Sequence, residues 1–111
     1  MTRINALITR KASIAEEIAD ISSMRKGVLN EQFVTAKKKD GQEVVRGPYY
    51  VLTRKGPYGR TVSQAIPAKD SKYVRAETEK YKRFKQLSEN YIDVCEQISM
   101  LHTTDEGQGN E

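Results

Sequence analysis

The sequence predicts an α+β fold, with two long antiparallel helices, one N-terminal and one C-terminal, flanking a small antiparallel β-hairpin or three-stranded sheet. Three observations predict it. Apolar residues recur at three- and four-residue steps near both ends of the chain. Between them lie two runs rich in β-branched and aromatic residues, separated by Gly56-Pro57-Tyr58-Gly59. With 111 residues the chain is expected to form a single domain over residues 1–102, followed by a disordered acidic tail at 103–111.

The first helix is expected over residues 3–24. Ile4, Leu7, Ile14, Ile18 and Ile21 form its stripe, and Lys11 occupies one turn as a snorkelling edge residue. Thr2 suits the N-cap, and Gly27 supplies a left-handed stop after Met24-Arg25-Lys26, whose cations favour the negative end of the helix dipole.

The β region is expected over residues 28–66. Leu29, Gln32, Phe33 and Val34 suggest a short strand or irregular extended piece, and Lys37-Lys38-Lys39-Asp40-Gly41 reads as a loop with an Asp-Gly turn. The hairpin runs from Arg46 to Ile66. Period two puts Tyr50, Leu52, Val62 and Ile66 on its buried face, and Tyr49, Val51, Thr53, Thr61 and Ser63 on a more polar one.

Pro67 ends the last strand, and Asp70 or Ser71 can cap a helix over residues 71–102. Phe84, Leu87, Tyr91, Val94, Ile98 and Leu101 keep its stripe unbroken. Two such stripes must be buried against each other or against another subunit, and leftover stripe on the longer helix favours a homodimer.

Charge is distributed in blocks. Residues 1–24 sum to 0, residues 25–60 to +6, residues 61–85 to +4, and residues 86–111 to −6. A chain polarised in this way can present one positive region to a polyanion, although charge blocks also simply solubilise small proteins. The side chains selected for phosphate and base contact are Lys37, Lys38, Lys39, Arg46, Arg54, Lys55 and Arg60 in loops or at hairpin ends, with Tyr49 and Tyr58 among them. Lys82 and Arg83 join them from the first half of the second helix. Cations secure phosphates, and flat rings offer stacking surfaces for bases.

Catalysis finds little support in the sequence. His102 is the only histidine and Cys95 the only cysteine, so neither an internal disulfide nor a thiolate zinc cluster can form. The segment Gly56–Thr61 lacks the Lys-Ser/Thr ending of a phosphate-binding loop. No catalytic residue, metal or cofactor is expected. No apolar run is long enough for a membrane span, and the first residues lack a signal peptide's apolar core, which gives a soluble, cytoplasmic expectation. The expected partner is nucleic acid, DNA or RNA, with a host or mobile-element protein on the same basic surface as the alternative.

Several stretches carry a resemblance. They are Gly27-Val28-Leu29-Asn30-Glu31-Gln32-Phe33, Gly47-Pro48-Tyr49-Tyr50-Val51-Leu52-Thr53-Arg54, Gly59-Arg60-Thr61-Val62-Ser63 and Ile66-Pro67, followed by Val74-Arg75 and Tyr81-Lys82-Arg83-Phe84. Together they cover roughly the middle half of the chain. In these pieces the chain resembles a family of short bacterial proteins of unassigned function associated with transposons and phages. Many members carry a cysteine cluster where this chain has Thr35 to Gly41, with Lys37-Lys38-Lys39 and no cysteine. The resemblance implies a mobile-element setting with basic side chains in place of a metal knuckle, and it supplies no activity.

Overall fold

The computed structural model describes residues 2–110, with side chains described as far as Thr103. Its elements are helix α1 (Arg3–Ala19), strands β1 (Val28–Lys37), β2 (Glu43–Lys55) and β3 (Thr61–Ile66), and helix α2 (Ser71–Asn110). Short 3-10 turns at Pro57–Gly59 and Ala68–Asp70 precede β3 and α2. The α+β class is as expected, with an N-terminal helix, a three-stranded antiparallel sheet and a long C-terminal helix.

The contacts gather into two compact units, one of Met1–Ser22 with Lys82–Glu111 and one of Ser23–Tyr81. The reason lies in the core, because the buried apolar side chains form two separate clusters. The unbroken stripe of α2 conceals the division, since Val74 belongs to one cluster and Leu87 and Val94 to the other.

In the helical unit, Leu7 and Ile14 of α1 pack with Leu87 and Val94 of α2, and Ile18, Ile21, Tyr91, Ile98 and Leu101 close around them. Thr2 caps α1 as expected, its Oγ1 accepting from the Asn5 N–H at 3.2 Å. Lys11 does snorkel, with its Nζ 5.9 Å from the centre of the Tyr91 ring. Glu17 and Arg83 meet at 2.7 Å as a half-exposed pair, which contributes about 1 kcal/mol at most.

Helix α1 stops at Ala19 rather than at residue 24. Beyond Asp20 the chain finds other partners: the Ser23 hydroxyl donates to Glu77 Oε1 at 2.7 Å, and the Arg25 N–H donates to the Glu77 carbonyl at 3.1 Å. Serine side chains that bond elsewhere compete with helix continuation in this way. At the other end of the chain, α2 continues to Asn110, past the expected end at residue 102 and into the segment expected to be a disordered tail. Once a helix exists, each further residue adds a hydrogen bond without a new nucleation cost. The side chains of residues 104–110, and all of residue 111, lie outside the described residues. Of the two expected caps of α2, Asp70 directly precedes its first residue, and the Ser71 hydroxyl donates back to the Ala68 carbonyl at 2.8 Å.

The sheet is a meander in the order β1-β2-β3. Leu29 stands opposite Leu52, and Tyr50 opposite Ile66. Leu29, Leu52, Ile66 and Val74 form the buried cluster, with Tyr50 packed against it. Val62 does not join them as expected. It pairs with Arg54 near the hairpin tip and remains 37% exposed.

The register of β1 and β2 slips between Gln32 and Val34, where Gly47-Pro48 faces Phe33. Proline in a central strand is tolerated at such a bulge, where the ladder is already interrupted. Gly47 has φ 131°, and a Cβ there would stand 2.8 Å from the Gln32 carbonyl oxygen. Beyond the bulge β2 pairs with β1 alone, since β3 reaches only as far as Tyr50. Residues 32–37 and 43–49 thus form a two-stranded ribbon on which Phe33, Val34, Val45 and Tyr49 are exposed.

Candidate nucleic-acid interface

Strand β2 is the ruler of the sheet unit. It runs from Glu43 to Lys55, which at about 3.3 Å per residue is roughly 40 Å. The side chains selected from the sequence sit at its two ends and do not come together. Lys37, Lys38, Lys39 and Arg46 are exposed at the end next to the β1–β2 loop, with Tyr49 further along the same ribbon. Arg54, Lys55, Tyr58 and Arg60 occupy the opposite end, next to the β2–β3 loop. Lys82 and Arg83 belong to the helical unit, where Arg83 is already held by Glu17.

The two ends differ in their electrostatics. The Lys37–Lys39 end also carries Asp40 and Glu43, and Glu43 stands opposite Lys37 in the ladder. The Asp40 carboxylate is used locally, accepting from the Gln42 N–H at 3.0 Å to shape the turn. At the other end, residues 21–30 and 51–69 contain no Asp or Glu. The chain before β1 adds Arg25 and Lys26 here, because Val28 pairs with Thr53 and draws the preceding residues alongside β2. Gly27 makes this approach possible: with φ 125°, a Cβ on it would lie 2.6 Å from the Thr53 carbonyl oxygen. Among the described residues no carboxylate pairs with Arg25, Lys26, Arg54, Lys55 or Arg60.

Arg25 and Lys26 are the residues that sequence reasoning missed. They read as the cationic last turn of a longer α1. The signal that could have found them is the absence of acidic residues on both sides of Gly27 and again throughout residues 51–69.

A buried carboxylate fixes the segment that carries them. Glu77 is 2% exposed and accepts from the Ser23 hydroxyl and, at 3.0 Å, from the Tyr73 phenol. Lys80 Nζ stands 2.9 Å from the other oxygen, an ion pair lying off the best hydrogen-bonding direction. The Lys80 ammonium first, then the Ser23 hydroxyl and more weakly the Tyr73 phenol, hold the Glu77 carboxyl at about 2, below its ordinary 4.5 and against the opposing effect of burial. Lys80 is held above its ordinary value by the same contact. The Arg25 guanidinium lies 5.8 Å from the centre of the Tyr73 ring.

Against this anchored segment the sheet leaves a cleft of about 340 Å³, lined by Met24, Arg25, Lys26, Leu52, Arg54 and Gln64. Beyond it the loop of residues 56–60 is closed by the Gly56 N–H donating to the Arg60 carbonyl at 2.6 Å, and it holds Tyr58 fully exposed. Cations from three chain segments, an amide and an exposed ring suit a phosphate backbone with bases to stack.

Cys95 is half-buried and His102 exposed, both in the helical unit. Among the described residues no three His, Cys, Asp or Glu side chains gather as metal ligands would, and no helix is long and apolar enough to cross a membrane. No family model, curated protein or solved structure matches this chain.

Proposed function

We propose that this chain is a small, non-enzymatic nucleic-acid-binding protein, an accessory of a mobile element or phage. It contacts phosphates through the end of the sheet that carries Arg25, Lys26, Arg54, Lys55 and Arg60. The observation that carries the reading is the convergence of these five cations, without a carboxylate partner among the described residues, beside the fully exposed Tyr58. Unpaired surface cations gain most from a polyanion, because each phosphate they neutralise releases bound counterions. The mobile-element setting rests on the family resemblance of the hairpin. In this reading the two helices run antiparallel, since Glu17 meets Arg83 while Lys11 meets Tyr91.

The test compares two triple variants on labelled duplex DNA, single-stranded DNA and RNA. Arg54→Ala/Lys55→Ala/Arg60→Ala is expected to weaken binding strongly, and Lys37→Ala/Lys38→Ala/Lys39→Ala to leave it nearly unchanged. The reverse order would move the interface to the ribbon end. No binding of the parent chain at low salt would remove the reading altogether.

The exposed Phe33, Val34 and Val45 on the ribbon favour a second reading, in which this chain docks on a host or mobile-element protein. A partner that persists after nuclease treatment, and is lost on Phe33→Ser/Val45→Ser, would support it.

A further inference from the structure

We propose that the cleft lined by Arg25, Lys26, Arg54 and Gln64 is a site for a phosphate monoester, either the 5′-terminal phosphate of a strand or that of a free mononucleotide. The inference deepens the nucleic-acid reading and rests on it for the first of these sources. The cleft's volume of about 340 Å³ is at the lower end of small-ligand pockets. Three of its six lining residues are cations without a carboxylate partner among the described residues. Gln64 adds an amide donor, and Leu52 and Met24 complete the lining. Arg54 and Gln64 project from the same face of the sheet, because Gln64 pairs with Leu52, two residues from Arg54 on β2.

Charge selects the monoester. A terminal phosphate carries about −1.5 to −2 at pH 7, whereas a backbone diester carries about −1. Two guanidiniums and an ammonium therefore gain more from a terminal group, and guanidiniums pair with phosphate oxygens in bidentate fashion. The site is also pre-organised. The Ser23 hydroxyl and the Arg25 N–H are both tied to Glu77, so the backbone that carries Arg25 and Lys26 is already fixed when a ligand arrives.

The experiment uses the full chain and the variant Gln64→Glu, an exposed β3 position where a carboxylate would neutralise Arg54. Fold is checked by circular dichroism. Probes are a labelled single strand with a 5′-phosphate, the same strand with a 5′-hydroxyl, and adenosine 5′-monophosphate. The 5′-phosphorylated strand is expected to bind about tenfold tighter than the 5′-hydroxyl strand, as one or two charge-assisted hydrogen bonds would give. Gln64→Glu should erase that preference, read as the ratio of the two affinities at one salt concentration, while both strands bind more weakly because Arg54 is neutralised. Adenosine monophosphate should compete for the extra affinity alone.

Equal affinity for the two strands, with no competition by the mononucleotide, would overturn the monoester site and leave backbone binding intact. Preference for the 5′-phosphate that survives Gln64→Glu would also overturn it, by placing the recognition elsewhere. Mononucleotide binding that Gln64→Glu abolishes, with neither strand bound, would uphold the cleft and remove the nucleic-acid reading.

Discussion

The salt dependence of duplex binding follows from counting the cations at the β2–β3 end. Arg25, Lys26, Arg54, Lys55 and Arg60 are free to neutralise about five phosphates. For duplex DNA each neutralised phosphate contributes about −0.9 to the slope of log K against log salt, so the parent slope is about −4.5. Raising salt from about 50 to about 200 mM should then weaken binding by about 500-fold. The Arg54→Ala/Lys55→Ala/Arg60→Ala variant retains two of the five, so its slope falls to about −1.8 and the same salt step costs about 12-fold. Fluorescence anisotropy of a labelled duplex over five or six salt concentrations measures both slopes. A variant slope equal to the parent slope would refute the reasoning, because the hairpin tip would then contribute no phosphate contact. A Lys37→Ala/Lys38→Ala/Lys39→Ala variant is the control, and a loss of about 2.7 from its slope would assign the contacts to the ribbon end.

Three further outcomes are expected. Because Glu77 is held at about 2 in the folded chain and titrates near 4.5 when free, the stability it lends is complete above about 4.5 and is lost as pH falls toward about 2. Glu77→Gln should lose that segment of the acid-unfolding curve, and superimposable curves for parent and variant would contradict the assignment. Leu87→Ala removes a side chain that is 2% exposed at the centre of the helical unit and should cost about 3 kcal/mol in urea unfolding; a cost below about 1 kcal/mol would mean that the unit does not pack around it. Tyr58→Ala should leave the unfolding midpoint unchanged, since the ring is fully exposed, and should weaken single-strand binding about tenfold through lost stacking; unchanged affinity would remove Tyr58 from the interface.

Much of the fold was legible because local rules decide it. The three- and four-residue stripe from Leu87 to Leu101 packs into the helical core, and Gly56-Pro57-Tyr58-Gly59 does close a hairpin between β-branched runs. The end of α1 was not legible, because its competitor is Glu77, 54 residues from Ser23. The extent of β2 was misread for a similar reason. The hairpin was expected to begin at Arg46, yet β2 begins at Glu43 and runs through the Gly47-Pro48 bulge, beyond which its pairing with β1 resumes.

The candidate site was legible in part. The cations at the β2–β3 loop were found because turn residues and Arg or Lys are visible in sequence. Strand length was not visible, and the 13 residues of β2 separate Lys37, Lys38, Lys39 and Arg46 from the hairpin tip. The tip's real neighbours, Arg25 and Lys26, arrive through the pairing of Val28 with Thr53, a register that no local pattern encodes.

The central claim is that the β2–β3 end of the sheet, and not the ribbon end, meets nucleic acid. The most direct test is a backbone-amide NMR titration of the full chain with a short duplex. The account predicts shift changes gathered at residues 24–27 and 53–64, with the amides of Lys37, Lys38, Lys39 and Arg46 unmoved. Changes confined to residues 33–49, or to the turn of α2 around Lys82 and Arg83, would contradict it.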